Sequence, residues 1–297
     1  MRLIVVGSGV VGASCAFAAS RLGAEVVLVD AALPGQATAA GAGIVCPWWS
    51  SSAVDPVWYE FACASARRYP ALIAELGELG ETSVGYRQVG ALILAGAPER
   101  LEEARRTVLA RRAGAPEVGE VAVLTGAEAR DLFPPLREDH AAVFIGGGSR
   151  VDGRLLAGAL ARAAVGRGAV VSAGRAELAC RGGRAARVML DGQLIGADGV
   201  VAAAGAWTSS FTEPAGVAVP VTPQRGQIAH IGVEPEDTSR WPVVLPGETG
   251  HYLLAFFQQH LAIAAMRAFL VRVFRLLHDF PFSPQRALIR YRSPLVS

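Results

Sequence analysis

The feature that most constrains the fold is a glycine-rich turn between two apolar runs at the start of the chain. Arg2–Val6 (RLIVV) is a short apolar run suited to a buried parallel strand. The hexapeptide GSGVVG at residues 7–12 follows, and residues 13–22 have the composition of a helix that Gly23 can end. A second apolar run at residues 25–29 ends at Asp30. The pattern predicts a strand, a turn, a helix and a second strand in direct succession.

Each glycine of this GxGxxG turn has a physical task, and together they predict a dinucleotide site. Gly7 permits the tight turn, Gly9 lets the backbone approach a pyrophosphate, and Gly12 lets helix and strand pack closely. The helix N-terminus offers N–H groups and the positive end of a dipole to the phosphates. Asp30 can accept a hydrogen bond from a ribose hydroxyl, and its negative charge argues against the 2′-phosphate of NADP.

The loop after the second strand favours FAD over NAD. Residues 35–47 (GQATAAGAGIVCP) are small, polar and glycine-rich, whereas an NAD-dependent domain would usually turn here into its next helix. Small residues let the backbone come close to a ligand. Thr38 can donate to a phosphate or a ribose, and Gly41 and Gly43 allow close packing against a flat ring.

The core of this loop, residues 37–43, resembles that of the D-amino-acid oxidase-like flavoproteins, which include glycine oxidase, sarcosine oxidase and D-amino-acid dehydrogenase. Further segments resemble the same family in the same order. They are residues 86–95 (like a substrate-domain hairpin), 128–136, 149–173, 198–207 (like a second flavin-contacting strand), 223–227 and, in part, 252–266. The resemblance implies an α/β fold: an FAD/NAD(P)-binding Rossmann-like fold with an interleaved antiparallel-sheet substrate domain of the α+β type.

The family resemblance implies two interleaved units. We expect residues 1–80 and 140–215 to form the FAD-binding domain, and residues 84–135 and 220–256 to form the substrate domain. Independently of the family, the residues around Asp191 and Gly192 have the pattern of a hairpin with a tight turn.

The cofactor implied by the resemblance is FAD, bound non-covalently. Family members that attach FAD near the N-terminus use a histidine in the loop, and residues 35–47 contain none. Cys46 would lie near the flavin, but attachment there has no family precedent. The residues expected to contact FAD are Gly7, Gly9, Val10, Val11, Gly12, Asp30, Ala31, Thr38, Ala40, Gly41, Ala42, Gly43, Ile44, Ala204, Gly205, Ala206 and Trp207.

The reaction implied is oxidation of a small amine or D-amino acid by hydride transfer, which gives an imine that water hydrolyses. Such chemistry needs little acid–base machinery, because the cofactor accepts the hydride and the protein supplies binding and orientation. Tyr252 corresponds by position to a substrate-facing tyrosine of glycine oxidase-like enzymes, and Arg225 is a second candidate at the substrate. A core aromatic and a structural turn arginine are the respective alternatives. Electrons would pass to oxygen or to a respiratory acceptor.

Composition excludes several other classes of function. The net charge of +2 and the lack of a basic cluster argue against a nucleic-acid partner. The four cysteines are far apart in sequence and have no metal-ligand spacing, so we expect no metal. The sequence contains no stretch of eighteen consecutive apolar residues, so we predict no transmembrane segment. We expect a cytoplasmic protein.

The family motifs stop after Arg267, and the composition changes there. We expect residues 267–297 to be an atypical tail, produced by truncation or a frameshift, or else an interaction element of its own. Phe256 to Ser297 contain six arginines against one acidic residue, Asp279. The alternative function is therefore a catalytically impaired flavoprotein remnant, or an FAD-binding protein that depends on a partner.

Overall fold

The structure, a computed structural model, describes residues 1–181, 184–223, 227–232, 237–245, 247, 251–256 and 260–265. Within these residues the helices are α1 (Val10–Arg21), α2 (Ala37–Ala40), α3 (Pro56–Glu78), α4 (Pro98–Arg112), α5 (Gly126–Leu132), α6 (Gly153–Gly166) and α7 (Thr208–Thr212). The strands are β1 (Arg2–Val6), β2 (Glu25–Asp30), β3 (Ile44–Val45), β4 (Arg87–Gln88), β5 (Ala91–Ala95), β6 (Val121–Leu124), β7 (Ala141–Ile145), β8 (Ser149–Arg150), β9 (Val170–Ala173), β10 (Ala176–Arg181), β11 (Arg184–Leu190), β12 (Gln193–Gly196), β13 (Gly199–Ala202), β14 (Gln227–Gly232), β15 (Val243–Leu245), β16 (His251–Phe256) and β17 (His260–Ala265).

The predicted strand–turn–helix–strand unit is confirmed, and it forms the centre of a parallel sheet. In the described part of the chain the strand order of this sheet is β13-β1-β2-β9, and every neighbouring pair is parallel. Because β1, β2 and β13 are parallel neighbours, their carboxyl ends lie at one edge. That edge is where ligands bind in open α/β sheets.

The parallel sheet is the middle layer of three. Helices α1 and α6 cover one face, where Val5 and Leu28 of the sheet pack against Phe17 and Leu160. Strands β10, β11 and β12 form a meander that covers the other face. Asp191 and Gly192, with φ values of 48° and 84°, connect β11 to β12. Two successive residues with positive φ fit a tight hairpin turn, so the predicted hairpin is confirmed.

A second, larger sheet is built mostly of antiparallel pairs. Within the described residues its order is β14-β17-β16-β15-β5-β7-β6, and β5 and β15 are its parallel pair. Helix α5 and the residue after it, Phe133, cover one face, together with Trp241. Helix α4 covers the other face through Ala104 and Val108. The mixture of a parallel and a mainly antiparallel sheet confirms the predicted fold class.

Two elements connect the large sheet to the parallel sheet. The small antiparallel sheet β3-β8-β4 lies between them, and Nη2 of Arg150 on β8 donates to the Ser239 carbonyl at 2.8 Å, shortly before β15. Helix α3 buries Cys63 against the large sheet and Leu76 against the helix layer of the parallel sheet. The loop that follows β2 is therefore held between the two sheets.

The structure differs from the sequence prediction at residues 86–95 and at β7. Residues 86–95 do not form a hairpin, because β4 pairs with β8 while β5 pairs with β7 and β15. Strand β7 belongs to the large sheet, although it lies inside the 140–215 segment assigned to the FAD-binding domain. A short apolar run has the same local pattern in either sheet, so its pairing partner decides its place. The rest of the domain division remains a prediction.

Among the helices that the structure describes, none combines the length and the apolar character that a membrane span requires.

Replacing Phe133 by alanine tests the core of the large sheet. Phe133 is fully buried and its ring centroid lies 4.9 Å from that of Trp241, so the substitution leaves a cavity. We expect a loss of about 3–5 kcal/mol in the free energy of unfolding. The neighbouring Leu132 is 40% exposed, and Leu132→Ala should cost less than about 1 kcal/mol. Urea unfolding followed by circular dichroism measures both; equal losses would contradict this assignment of the core.

Candidate functional site

The carboxyl ends of three strands converge on one point of the parallel sheet. The backbone N–H of Gly7, just after β1, donates to the carbonyl of Val29 at 2.8 Å. The N–H of Ala203, just after β13, donates to the carbonyl of Val6 at 2.8 Å. These bonds bring together the glycine turn, Asp30 and residues 204–207, which are far apart in sequence.

The glycines of the turn leave no space for side chains. Gly7 has a φ of +103°, and a Cβ atom there would lie 2.2 Å from the Ala203 carbonyl oxygen. A Cβ atom on Gly12 would lie 1.7 Å from the carbonyl oxygen of Gly7. Helix α1 can therefore start directly over the end of β1 only because both positions are glycine.

The N-terminus of α1 has no side-chain cap, since its N-cap residue is Gly9. The N–H of Val10 donates to Oγ1 of Thr38 at 3.0 Å, and a Cβ atom on Gly9 would stand 3.0 Å from the same oxygen. Because the Thr38 hydroxyl accepts this bond, its hydrogen can still donate to a ligand; donation to a phosphate or a ribose stays a prediction. Val11 at the start of the helix is exposed. This arrangement suits the pyrophosphate of a dinucleotide.

Asp30 is half-buried at the end of β2 and organises the adjoining backbone. Its Oδ2 accepts from the N–H of Ser8 at 2.5 Å and from the Ser8 hydroxyl at 2.8 Å. Its Oδ1 accepts from the N–H of Ala32 at 2.6 Å and from Nε2 of Gln36 at 3.3 Å. The carboxylate thus joins the glycine turn to the loop after β2. Ala31, the other residue predicted here, is exposed beside it.

The loop after β2 presents small residues to one side and is fixed at its end. Helix α2 buries none of its residues, which leaves Ala40 and the following Gly41 exposed. Gly43 has a φ of +71°, and its carbonyl accepts from the N–H of Val151 at 2.8 Å. Ala42 and the β3 residue Ile44 pack against the core of the large sheet. Ala40 and Gly41 are therefore open to a flat ligand, whereas the position of a Cβ atom on Gly43 is occupied by the Val151 backbone carbonyl.

The chain leaves β13 through Ala204 into a short helical turn at Gly205–Trp207. Gly205 is exposed and has a φ of +55°, yet a Cβ atom there would have no heavy atom within 4 Å. Ala206 and Trp207 are half-buried behind it. Space is open in front of Gly205, and the glycines of the turn let the backbone approach a ligand closely. Both features suit a long dinucleotide bound along the edge of the sheet. We call the glycine turn, the loop after β2 and residues 204–207 the cradle. Its described residues fit FAD: the N-terminus of α1 could bind the pyrophosphate, and Asp30 could bind the ribose.

By the alternation of side chains along a strand, Tyr252 lies on the face of β16 that packs, through Leu254, with residues at and after the loop that follows β2. Side chains alternate along a strand, so Tyr252 shares a face of β16 with Leu254. Leu254 packs in a cluster with Cys46 and Trp48, which we call the flavin-side cluster. Tyr252 is half-buried, and this burial raises the pKa of its phenol above the ordinary value near 10. The hydroxyl therefore stays protonated at neutral pH and can donate a hydrogen bond.

Burial in the flavin-side cluster also determines the protonation of the Cys46 thiol. This residue is buried among apolar side chains, and desolvation raises the pKa of its thiol to about 12. The indole ring of Trp48 is buried beside it, and a guanidinium nitrogen of Arg111 donates to the Trp48 backbone carbonyl. At neutral pH Cys46 is a neutral thiol and hence a poor nucleophile.

The structure brings most of the predicted cofactor residues to one edge of the parallel sheet. It places Tyr252 on a different sheet, on the face of β16 that also carries Leu254. Arg225 lies outside the described residues. Sequence reasoning missed Ser8 and Gln36, both of which bind Asp30. The signal for Ser8 is weak, since it occupies a variable position of GxGxxG, and Gln36 stands in a loop without periodicity.

Substitution of Gly12 by alanine tests the cradle. The added methyl group would clash with the backbone carbonyl of Gly7, so α1 must move away from the turn. We expect at least a tenfold weaker FAD affinity, measured by titration of the FAD-free protein and quenching of flavin fluorescence. Gly77, inside α3, is the matched control because its added methyl meets no heavy atom within 4 Å, and Gly77→Ala should leave affinity unchanged. Equal FAD affinity in both variants would contradict the assigned site.

Comparison with known proteins agrees with this geometry. The family model described as FAD dependent oxidoreductase (DAO) matches residues 2–289. The match extends beyond Arg267, where the motif resemblance stops. An uncharacterized oxidoreductase of Bacillus subtilis (strain 168), YurR, is 40% identical over 253 residues, which are 85% of this chain and 68% of that protein. Glycine oxidase of Geobacillus kaustophilus (strain HTA426) is 29% identical over 228 residues, which are 75% of this chain and 59% of that enzyme.

Among solved structures, iminodiacetate oxidase from Chelativorans sp. BNC1 is 40% identical and superposes with a TM-score of 0.88, covering 100% of this chain and 84% of that one. The chain thus spans just over two thirds of one curated relative and less than two thirds of the other. The GxGxxG cradle, the small-residue loop and a family match over nearly the whole sequence show that this chain belongs to the DAO family of FAD-dependent oxidoreductases.

Proposed function

We propose that the chain oxidises the carbon–nitrogen bond of a small amine or amino acid. The observation that carries this proposal is the 40% identity, over the full described fold, to a protein named iminodiacetate oxidase. A second relative is named glycine oxidase. Iminodiacetate and glycine both contain a nitrogen bonded to a CH₂–COO⁻ group. The proposed substrates are therefore amines that carry a carboxymethyl group, and D-amino acids are a second class.

In the proposed reaction the substrate loses a hydride from the carbon beside nitrogen and a proton from the nitrogen, and it becomes an imine. Bound FAD supplies the two-electron acceptor for that hydride. Water then adds to the imine and releases a carbonyl compound and an amine. Oxygen or a respiratory acceptor takes the two electrons in the second half of the cycle.

The chain's own residues supply binding and orientation. Tyr252 is half-buried on the Leu254 face of β16, and burial raises the pKa of its phenol, so in the proposed complex it donates a hydrogen bond to the substrate carboxylate. Beside it, Leu254 belongs to the flavin-side cluster, which excludes water from that side of the loop. A low local dielectric strengthens the bond to a charged carboxylate.

A substrate panel tests the reaction. We expect the visible flavin bands of the purified full chain to bleach without air on addition of iminodiacetate, glycine, sarcosine or a D-amino acid. An oxygen electrode and a quinone-type dye then distinguish the two electron acceptors. Stable FAD binding with no bleaching by any member of the panel would support the alternative, an FAD-binding protein that is inactive without a partner.

Replacing Tyr252 by phenylalanine tests the proposed carboxylate contact. Loss of one hydrogen bond to a charged group should raise KM about tenfold and leave the thermal midpoint nearly unchanged. Tyr69→Phe is the matched control, because Tyr69 stacks on Tyr86 in the core near α6 with ring centroids 5.4 Å apart. Its KM should equal that of the unchanged chain. A wild-type KM in the Tyr252 variant would remove this tyrosine from the substrate site.

The pKa of Tyr252 predicts the pH dependence of this contact. Because burial raises the pKa above its ordinary value near 10, the phenol keeps its proton throughout the range from pH 6 to pH 9. The ratio of KM between Tyr252→Phe and the unchanged chain should therefore stay constant across that range. A ratio that falls toward one below pH 9 would show that the phenol ionises there.

The buried thiol of Cys46 predicts non-covalent FAD. With its pKa near 12, Cys46 is protonated at pH 8 and does not attack the flavin ring. Acid precipitation of the holoprotein should release all yellow colour into the supernatant. Cys180, which is exposed, should react with a maleimide in the native protein while Cys46 should not. Colour that stays in the washed pellet would contradict non-covalent binding.

A further inference from the structure

The Asp30 carboxylate is saturated with hydrogen-bond donors. Within the described residues four donors reach it: the N–H and hydroxyl of Ser8 on Oδ2, and the Ala32 N–H and Gln36 Nε2 on Oδ1. A carboxylate offers roughly four lone-pair directions. A ribose hydroxyl can therefore bind Asp30 only by displacing one of these donors.

Gln36 is the donor that can give way. Its Nε2 lies 3.3 Å from Oδ1, whereas the other three donors lie at 2.5 to 2.8 Å. Two of those three are backbone N–H groups. The bond from Ala32 also closes the turn after β2, in which Ala32 has a φ of +50°, an unfavourable value for alanine. Gln36, by contrast, is half-buried and reaches Asp30 through a side chain that can change rotamer without breaking a backbone bond of the turn.

The adenosine ribose has two hydroxyl groups, but Asp30 can offer an acceptor position to only one of them, the position that Gln36 now occupies. Both positions on Oδ2 belong to Ser8, so a single hydroxyl can replace Gln36 on Oδ1. The second hydroxyl needs another acceptor nearby. The Gln36 carboxamide carries such an acceptor, Oε1, as well as a donor, and it already lies against the same carboxylate oxygen.

We propose that Gln36 is a second ligand of the adenosine ribose and makes this chain selective for an intact ribose diol. One ribose hydroxyl donates to Asp30 Oδ1, and the displaced carboxamide accepts from the other through Oε1. Ser8 and the Ala32 N–H are positioning groups that fix the carboxylate. The proposal concerns the cofactor site alone and does not depend on which amine the chain oxidises.

The test compares two ligands that differ only in the diol. Calorimetric titration of the FAD-free full chain with ADP and with 2′,3′-dideoxy-ADP gives the affinity ratio that the hydroxyls contribute. In Gln36→Ala we expect ADP to bind about fivefold more weakly, the usual effect of one hydrogen bond, and dideoxy-ADP to bind as before. The ratio between the two ligands should therefore fall about fivefold.

Two other results would overturn the proposal. An unchanged ratio would mean that Gln36 does not contact the diol. Equal weakening of both ligands would mean that Gln36 acts through the shape of the loop. Gln88→Ala is the matched control, because it also removes a glutamine side-chain bond, here to the Gly146 carbonyl at 3.0 Å, but away from Asp30. Thermal melts of both variants verify that each is folded.

Discussion

The close approach of α1 to the end of β1 is the constraint on which the cofactor end of the molecule depends. A single methyl group on Gly12 would stand 1.7 Å from the Gly7 carbonyl oxygen, so only glycine at this position lets α1 come this close to the turn. This contact directs the uncapped N-terminus of α1 toward the ends of β2 and β13. It also brings the Val10 N–H to Thr38, which attaches the loop to the helix.

The site also depends on the parallel sheet and the large sheet meeting at the loop after β2. Helix α3 packs against both, through Cys63 at one end and Leu76 at the other, and Arg150 bonds across to Ser239. The residues after the loop, Cys46 and Trp48, are then buried by the large sheet. Binding sites commonly form at such junctions, because each unit supplies one wall. Under the proposed function, one wall holds the cofactor and the other, with Tyr252, holds the substrate.

How much of this the sequence predicts depends on the range of the interactions involved. The hairpin at Asp191 and Gly192 was predictable because positive φ is a property of two residues. Residues 86–95 were assigned wrongly because a change of sheet has the same local signature as a hairpin. Their break at Gly90 is caused by distant groups: the Phe144 ring, 2.3 Å from where a Cβ atom would lie, and the Gly148 carbonyl, which accepts the Gly90 N–H.

The sequence by itself determined the dinucleotide turn, the acid at the end of β2 and the small-residue loop, because steric limits on glycine and the spacing of apolar runs act over a few neighbouring residues. The resemblance of its motifs, taken in order, indicated the family. Only the tertiary structure decided that Ser8 and Gln36 meet on Asp30, and that Leu254 of β16 packs in one cluster with Cys46 and Trp48. These relations depend on strand register and on packing between elements far apart in the chain, where no local pattern records which side chains will meet.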